Sequence, residues 1–175
     1  TSKMTENLEN WQLPYATVAV EEFIEDLSNW YVRRSRRRFW KTEDDGDKNA
    51  AYSTLYTCLT TLSRLLAPFT PFVADTIYRN LVADRIEDSP DSVHLTSWPK
   101  ANESLIDQNV MKRTRLAIRL ASLGRSARAR SRLKVRQPLR EFVAEVRYDW
   151  EHIALAEIEP VLKEELNVKA VRDAS

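Results

Sequence analysis

Residues 29–41, NWYVRRSRRRFWK, bring six cations (Arg33, Arg34, Arg36, Arg37, Arg38 and Lys41) and four aromatic rings (Trp30, Tyr31, Phe39 and Trp40) into one short segment. Cations neutralise phosphates and flat rings stack on unpaired bases, so the mixture is equipped to hold single-stranded nucleic acid. Arginines this crowded repel one another unless an anion lies between them. A solvated basic helix end is the plainer alternative, and the interleaved aromatics weigh against it.

A second basic block runs over residues 112–140, with eleven cations and no Asp or Glu. It includes Arg125, Arg128, Arg132, Lys134 and Arg136. Lys134 and Arg136 lie next to Gln137-Pro138, where a helix must end, so a loop can present them. The first 26 residues are acidic, and so is the chain beyond Arg140. The net charge of +1 therefore conceals two concentrated basic surfaces, which attract a polyanion locally.

Other chemistry is not supported. His94 and His152 are far apart, and no Cys-His spacing resembles a zinc site. His94, flanked by Val93 and Leu95, reads as a packed or capping residue. Asp44-Asp45-Gly46-Asp47 lacks the twelve-residue loop and closing Glu of a calcium hand; acids at a helix N-terminus explain it better. With only 2 glycines, neither a phosphate-cradling loop nor a dinucleotide-binding turn is expected. No catalytic residue, metal ligand or resident cofactor is assigned. The single Cys58 reads as a core thiol, which favours a reducing, cytoplasmic setting. No apolar run is long enough for a membrane span.

The elements that position these residues are helical. Val20, Phe23, Ile24, Leu27 and Tyr31 form one stripe at spacings of three and four. At about 100° per residue, Arg34 and Arg38 continue that stripe, where carboxylates of a neighbouring helix could pair with them, and one or the other is assigned to structure. Asn29, Arg33, Arg36 and Trp40 share the adjoining face, with Arg37 between the two. A helix over residues 44–66 is expected to bury Tyr52, Leu55, Tyr56, Leu59, Leu62, Leu65 and Leu66. Thr70-Pro71 starts another that reaches Val82. Residues 84–105 read as a connection containing a short extended piece at Val93-His94-Leu95.

A long helix over residues 106–131 has a stripe of Val110, Ala117, Leu120, Ala121, Gly124 and Ala127. Gly124 costs a helix interior about 1 kcal/mol relative to alanine, so a packing reason is expected. Strand, helix and strand follow over residues 142–146, 153–166 and 168–172. The fold class is thus mainly α: a helical bundle over residues 1–139 with a small βαβ-like appendage over residues 140–175.

The run Glu22-Phe23 through Leu27-Ser28-Asn29-Trp30-Tyr31-Val32-Arg33-Arg34-Ser35-Arg36-Arg37-Arg38-Phe39-Trp40 resembles the isoleucyl-tRNA synthetases, in the archaeal/eukaryotic-like form also carried by a subset of bacteria. Leu66-Ala67-Pro68-Phe69-Thr70-Pro71-Phe72, Val93-His94-Leu95 with Trp98-Pro99, and Lys134-Val135-Arg136-Gln137-Pro138-Leu139 extend the resemblance over essentially the whole chain. Some of these elements also occur in valyl and leucyl enzymes; the arginine-rich run is the more specific one.

The resemblance implies the helical-bundle anticodon-binding domain of a class I ligase, whose partner is the anticodon stem-loop of isoleucine tRNA. Helical position and the two basic blocks, not the resemblance, assign RNA contact to Asn29, Arg33, Arg36, Arg37, Trp40, Lys41, Arg125, Arg128, Arg132, Lys134 and Arg136. The resemblance also implies that catalytic and editing domains of a longer chain carry out the ATP- and magnesium-dependent aminoacylation. The nucleotide-site signatures His-Ile-Gly-His and Lys-Met-Ser-Lys-Ser do not occur here, so no activation is expected of these residues alone. The alternatives are a valyl or leucyl homologue and a helical protein–protein module that binds an acidic partner.

Overall fold

A computed structural model describes residues 1–40 and 45–174. Among these lie seven α-helices and a two-stranded parallel sheet, the mainly helical architecture expected. The chain divides into two compact units, Thr1–Asn102 and Glu103–Ser175. The compact units meet near residue 102, whereas the sequence reading set the edge of the helical bundle at residue 139. The long basic helix packs against the helix of the strand–helix–strand tail and belongs with it.

The first unit contains α1 (Ser2–Glu9), α2 (Leu13–Asp26), α3 (Arg36–Trp40), α4 (Asp45–Leu66) and α5 (Pro71–Tyr78). Pro14 and Pro71 stand in the first turns of α2 and α5, where an amide hydrogen would lack a partner anyway. One core cluster joins Met4, Ala16, Val20, Leu62 and Leu65, with Leu8, Phe69 and Trp98 against it. The Trp98 indole donates to Thr5 Oγ1 at 2.9 Å, which satisfies its polar edge. A second cluster joins Ala74, Tyr78, Val82 and Val93. Here Asp75 accepts hydrogen bonds from Ser92 Oγ (2.7 Å) and the Val93 amide (2.9 Å). These bonds, Ser92's first, hold its carboxyl below the usual carboxylate range.

Several stripe assignments change. Val20 and Leu27 are buried, but Phe23 and Ile24 are about 40% exposed, because the buried side of α2 runs through Ala16 instead. On α4 the smaller Ala51, Thr60 and Ser63 are buried with Leu62 and Leu65, leaving Tyr52 and Tyr56 at the surface. Val93–Leu95 is a single 3-10 turn rather than an extended piece. Ser92 Oγ caps it by accepting from the His94 amide.

The second unit contains α6 (Gln108–Arg130), β1 (Leu139–Ala144), α7 (Asp149–Leu166) and β2 (Val168–Asp173). Asp107 caps α6, its carboxylate accepting from the amides of Asn109 (2.8 Å) and Val110 (3.1 Å). The strands pair in parallel through the α7 crossover, with Leu139 opposite Val168 and Phe142 opposite Val171. Leu116, Ala117, Leu120, Ala121, Gly124 and Arg128 form the buried face of α6. Val110 and Ala127, expected in that stripe, are exposed.

Candidate nucleic-acid interface

Between α2 and α3 the helix widens into a π turn over Leu27–Val32. A π turn, closed by i→i+5 hydrogen bonds, takes more residues than the roughly 3.6 of an α-helical turn. Positions four apart therefore stay nearly in line. Leu27 and Ser35 are buried, and between them Tyr31 donates its hydroxyl to the Ala51 carbonyl at 3.1 Å. Phe39 continues the row and packs on Tyr52, with ring centroids 4.9 Å apart. Arg38 pairs with Asp47 in the first turn of α4, its Nε 2.9 Å from each carboxylate oxygen. The pairing depresses the Asp47 carboxyl. Arg38 thus takes the structural part expected of it.

With that side anchored, the other side of the segment faces solvent. Arg33, Arg36 and Arg37 are exposed, and Trp40 is 82% exposed. Asn29 is exposed too, and its carbonyl accepts from Arg33 Nε at 2.8 Å. Trp30 is half-buried, with the Arg34 and Arg33 guanidinium carbons 5.2 Å and 6.0 Å from its ring centroid. Guanidinium planes already flank that ring, so Trp40 is the more accessible stacking surface. Lys41, also assigned to the site, lies outside the described residues, as do Glu43 and Asp44 of the expected helix start.

The second basic block divides differently from expectation. Three of its arginines meet acids on α7: Arg113 with Glu157, Arg119 with Glu151, and Arg125 with Glu165 at 2.7 Å. The Glu165 side chain is only 3% exposed, so Arg125 serves chiefly to neutralise a buried carboxylate. Burial pushes the Glu151 carboxyl up. Hydrogen bonds from the Arg147 amide and Arg119 outweigh burial and hold it below its ordinary value.

Arg128 departs furthest from the reading as an RNA contact. It is 4% exposed and donates to four carbonyls, those of Lys134, Gln137, Leu166 and Asn167. Arg125 and Arg128 are thus both engaged inside the fold, Arg128 buried and Arg125 with its side chain 38% exposed. The remaining assigned cations, Arg132, Lys134 and Arg136, are exposed on the loop after α6. Lys112, Arg115, Arg130 and Arg140 are exposed as well and were not among the assigned residues. An acid-free helix followed by an acid-rich one was the signal that some of these arginines would be matched inside the fold.

Two basic surfaces, one in each unit, thus offer charge and, at Trp40, a stacking plane. Among the described residues no cluster of three or more His, Cys, Asp or Glu could hold a metal ion, and no helix is long and apolar enough to cross a membrane.

Residues 1–143 match the family model described as the anticodon-binding domain of tRNA ligase. The chain is 51% identical over 164 residues to an isoleucine–tRNA ligase of Dehalococcoides mccartyi, covering 94% of this chain and 16% of that protein. It is 42% identical over 171 residues to the isoleucine–tRNA ligase of Thermus thermophilus, covering 97% and 16%. A Thermobifida fusca isoleucine–tRNA ligase shows 51% identity over 132 residues, 75% of this chain and 12% of that one. The chain spans about one-sixth of the length of the first two of these curated relatives. All three are bacterial, so they lend no support to an archaeal/eukaryotic-like type. The family match spans α1 to α6 and takes in the arginine-rich segment and the basic loop: the chain belongs to the anticodon-binding domain family of tRNA ligases.

Proposed function

We propose that this chain binds the anticodon stem-loop of isoleucine tRNA within a longer isoleucine–tRNA ligase. The observation that carries the reading is the Trp40 ring, exposed beside Arg36 and Arg37 on the one side of the segment that the core leaves open. An anticodon loop splays its bases, and a base stacked on Trp40 would gain about 1–3 kcal/mol. Arg33, Arg36 and Arg37 would meet phosphates or base edges, with Asn29 contributing at the margin. Arg132, Lys134 and Arg136 would neutralise phosphates from the second unit.

Adenylation of isoleucine and its transfer to tRNA belong, in this reading, to the catalytic and editing domains of the longer chain. ATP and magnesium act there, and this part needs no cofactor. The relatives' function supports isoleucine as the amino acid. Binding to a panel of purified tRNAs tests the reading. Preference for isoleucine tRNA, weakening with salt by about 0.7 log units per decade for each phosphate neutralised on an unpaired strand, is the expected outcome. Preference for valine or leucine tRNA would reassign the specificity. Competition by unrelated acidic protein but not by tRNA would replace the reading with a protein-interaction module.

A further inference from the structure

Residues 131–138 connect α6 to β1 without regular structure, yet hydrogen bonds hold the carbonyls of residues 134–137. Arg128 donates to the carbonyls of Lys134 and Gln137, each at 3.0 Å. Asn167 Nδ2 donates to the carbonyls between them, Val135 at 3.1 Å and Arg136 at 3.0 Å. Four consecutive carbonyls are thus taken by two side chains. The Gln137 amide closes a turn on the Lys134 carbonyl at 3.0 Å, and the Leu139 amide bonds to the Asn167 carbonyl at 3.1 Å.

Asn167 reaches this position because it ends α7 in the left-handed region, with φ 49° and ψ 56°. Asn is among the few non-glycine residues that adopt this conformation readily. Arg128 is buried beneath the loop, and only a guanidinium has enough fixed donors to serve several carbonyls at once. With the carbonyls turned inward to these donors, the side chains of Arg132, Lys134 and Arg136 stand in solvent.

We propose that Arg128 and Asn167 are positioning residues that pre-order Arg132, Lys134 and Arg136 as a fixed cation cluster for RNA phosphates. This rests on the reading of the chain as an RNA-binding domain. The physical basis is preorganisation: a loop ordered only when RNA arrives subtracts its ordering cost from affinity, and a braced loop does not. The buried Arg128 charge also adds to the positive potential at the loop.

The test is Asn167→Gly. Glycine accepts the left-handed backbone and keeps the helix ending, so the change removes little beyond the two Nδ2 bonds. Binding of the 175-residue chain to an isoleucine anticodon stem-loop RNA is measured for parent, Asn167→Gly, Lys134→Ala/Arg136→Ala, and the combination. Asn167→Gly should weaken binding about fivefold or more while the circular dichroism spectrum stays that of the parent. The loss caused by Lys134→Ala/Arg136→Ala should shrink in the Asn167→Gly background, because cations no longer held in place contribute less. A purely structural Asn167 would shift melting and leave that loss unchanged.

Parent-like affinity in Asn167→Gly, or an equal Lys134/Arg136 loss in both backgrounds, overturns the positioning role alone. A Lys134→Ala/Arg136→Ala variant that binds like the parent removes the loop from the RNA contact and takes the inference with it. If the parent fails to bind RNA at all, the functional reading itself fails. Should Asn167→Gly not fold, Asn167→Asp repeats the comparison, since aspartate also tolerates this backbone but aims acceptor oxygens at the two carbonyls.

Discussion

Gly124 of α6 sits so close to Leu166 of α7 that a methyl on its Cα would lie 2.5 Å from Leu166 Cδ1 and 2.7 Å from Cδ2. Leu166 is itself 1% exposed, so the methyl would press on a packed side chain. Gly124→Ala would gain about 1 kcal/mol of helix propensity, while overpacking costs about 1–3 kcal/mol. The expected outcome is a net loss of about 1 kcal/mol in urea denaturation. A more stable variant would show that Leu166 repacks freely.

Trp40 and Leu27 should separate binding from folding. Trp40→Ala removes an exposed ring, so melting should hardly change while RNA binding falls by about 1–3 kcal/mol. Leu27 is 8% exposed, and Leu27→Ala should destabilise by about 2–5 kcal/mol, with affinity lost only as the chain unfolds. Thermal melts and RNA titrations of the two variants check this. Unfolding by Trp40→Ala would place that ring in the core instead.

Arg125→Met probes the acid–base pairing of α6 with α7. Removing this cation takes the 2.7 Å charge-assisted hydrogen bond from the Glu165 carboxylate, whose side chain is 3% exposed. The half-exposed position of Arg125 moderates the cost of breaking a buried pair, so a loss of about 1–3 kcal/mol is expected. RNA affinity of the folded variant should stay within about twofold, which is about 0.4 kcal/mol. A large affinity loss without destabilisation would return Arg125 to the interface.

Asp75 and Glu151 make stability sensitive to acid. Both carboxyls lie below their ordinary values in the folded chain, Asp75 chiefly through Ser92, and Glu151 through Arg147 and Arg119 despite its burial. A carboxylate whose folded pKa is depressed contributes stability above its unfolded value, and that stability is lost as pH falls through the folded one. Stability should therefore decline as pH drops below about 4. Asp75→Asn should flatten part of that decline when unfolding is followed from pH 7 downward. An unchanged acid limb would exclude Asp75 as a contributor.

The sequence revealed element types and the basic character of two segments, because periodicity and charge runs are local properties. It misassigned positions whose fate is decided across elements. Phe23, Tyr52 and Tyr56 look buried by type, but Ala16, Ala51 and Ser63 occupy the close contacts. Arg128 is indistinguishable in the sequence from its exposed neighbours, since the four carbonyls it serves come from a loop and a helix end up to 39 residues away. Asn167 carries no charge and stands in no motif, and its left-handed conformation and partners exist only in the folded unit. The π turn is likewise invisible to a ruler of fixed angle per residue.

That turn makes the length of the segment as strict a constraint as its composition. Removing one residue from Leu27–Val32 would leave every arginine and Trp40 in the chain, yet turn all that follows by about 100° relative to the anchored side. Phe39 and Arg38 would lose their places on Tyr52 and Asp47, and Trp40 would leave its open side. Two relatives with the same basic and aromatic residues but differing by one position here would thus present different faces. Likeness of composition between them would say nothing about likeness of binding.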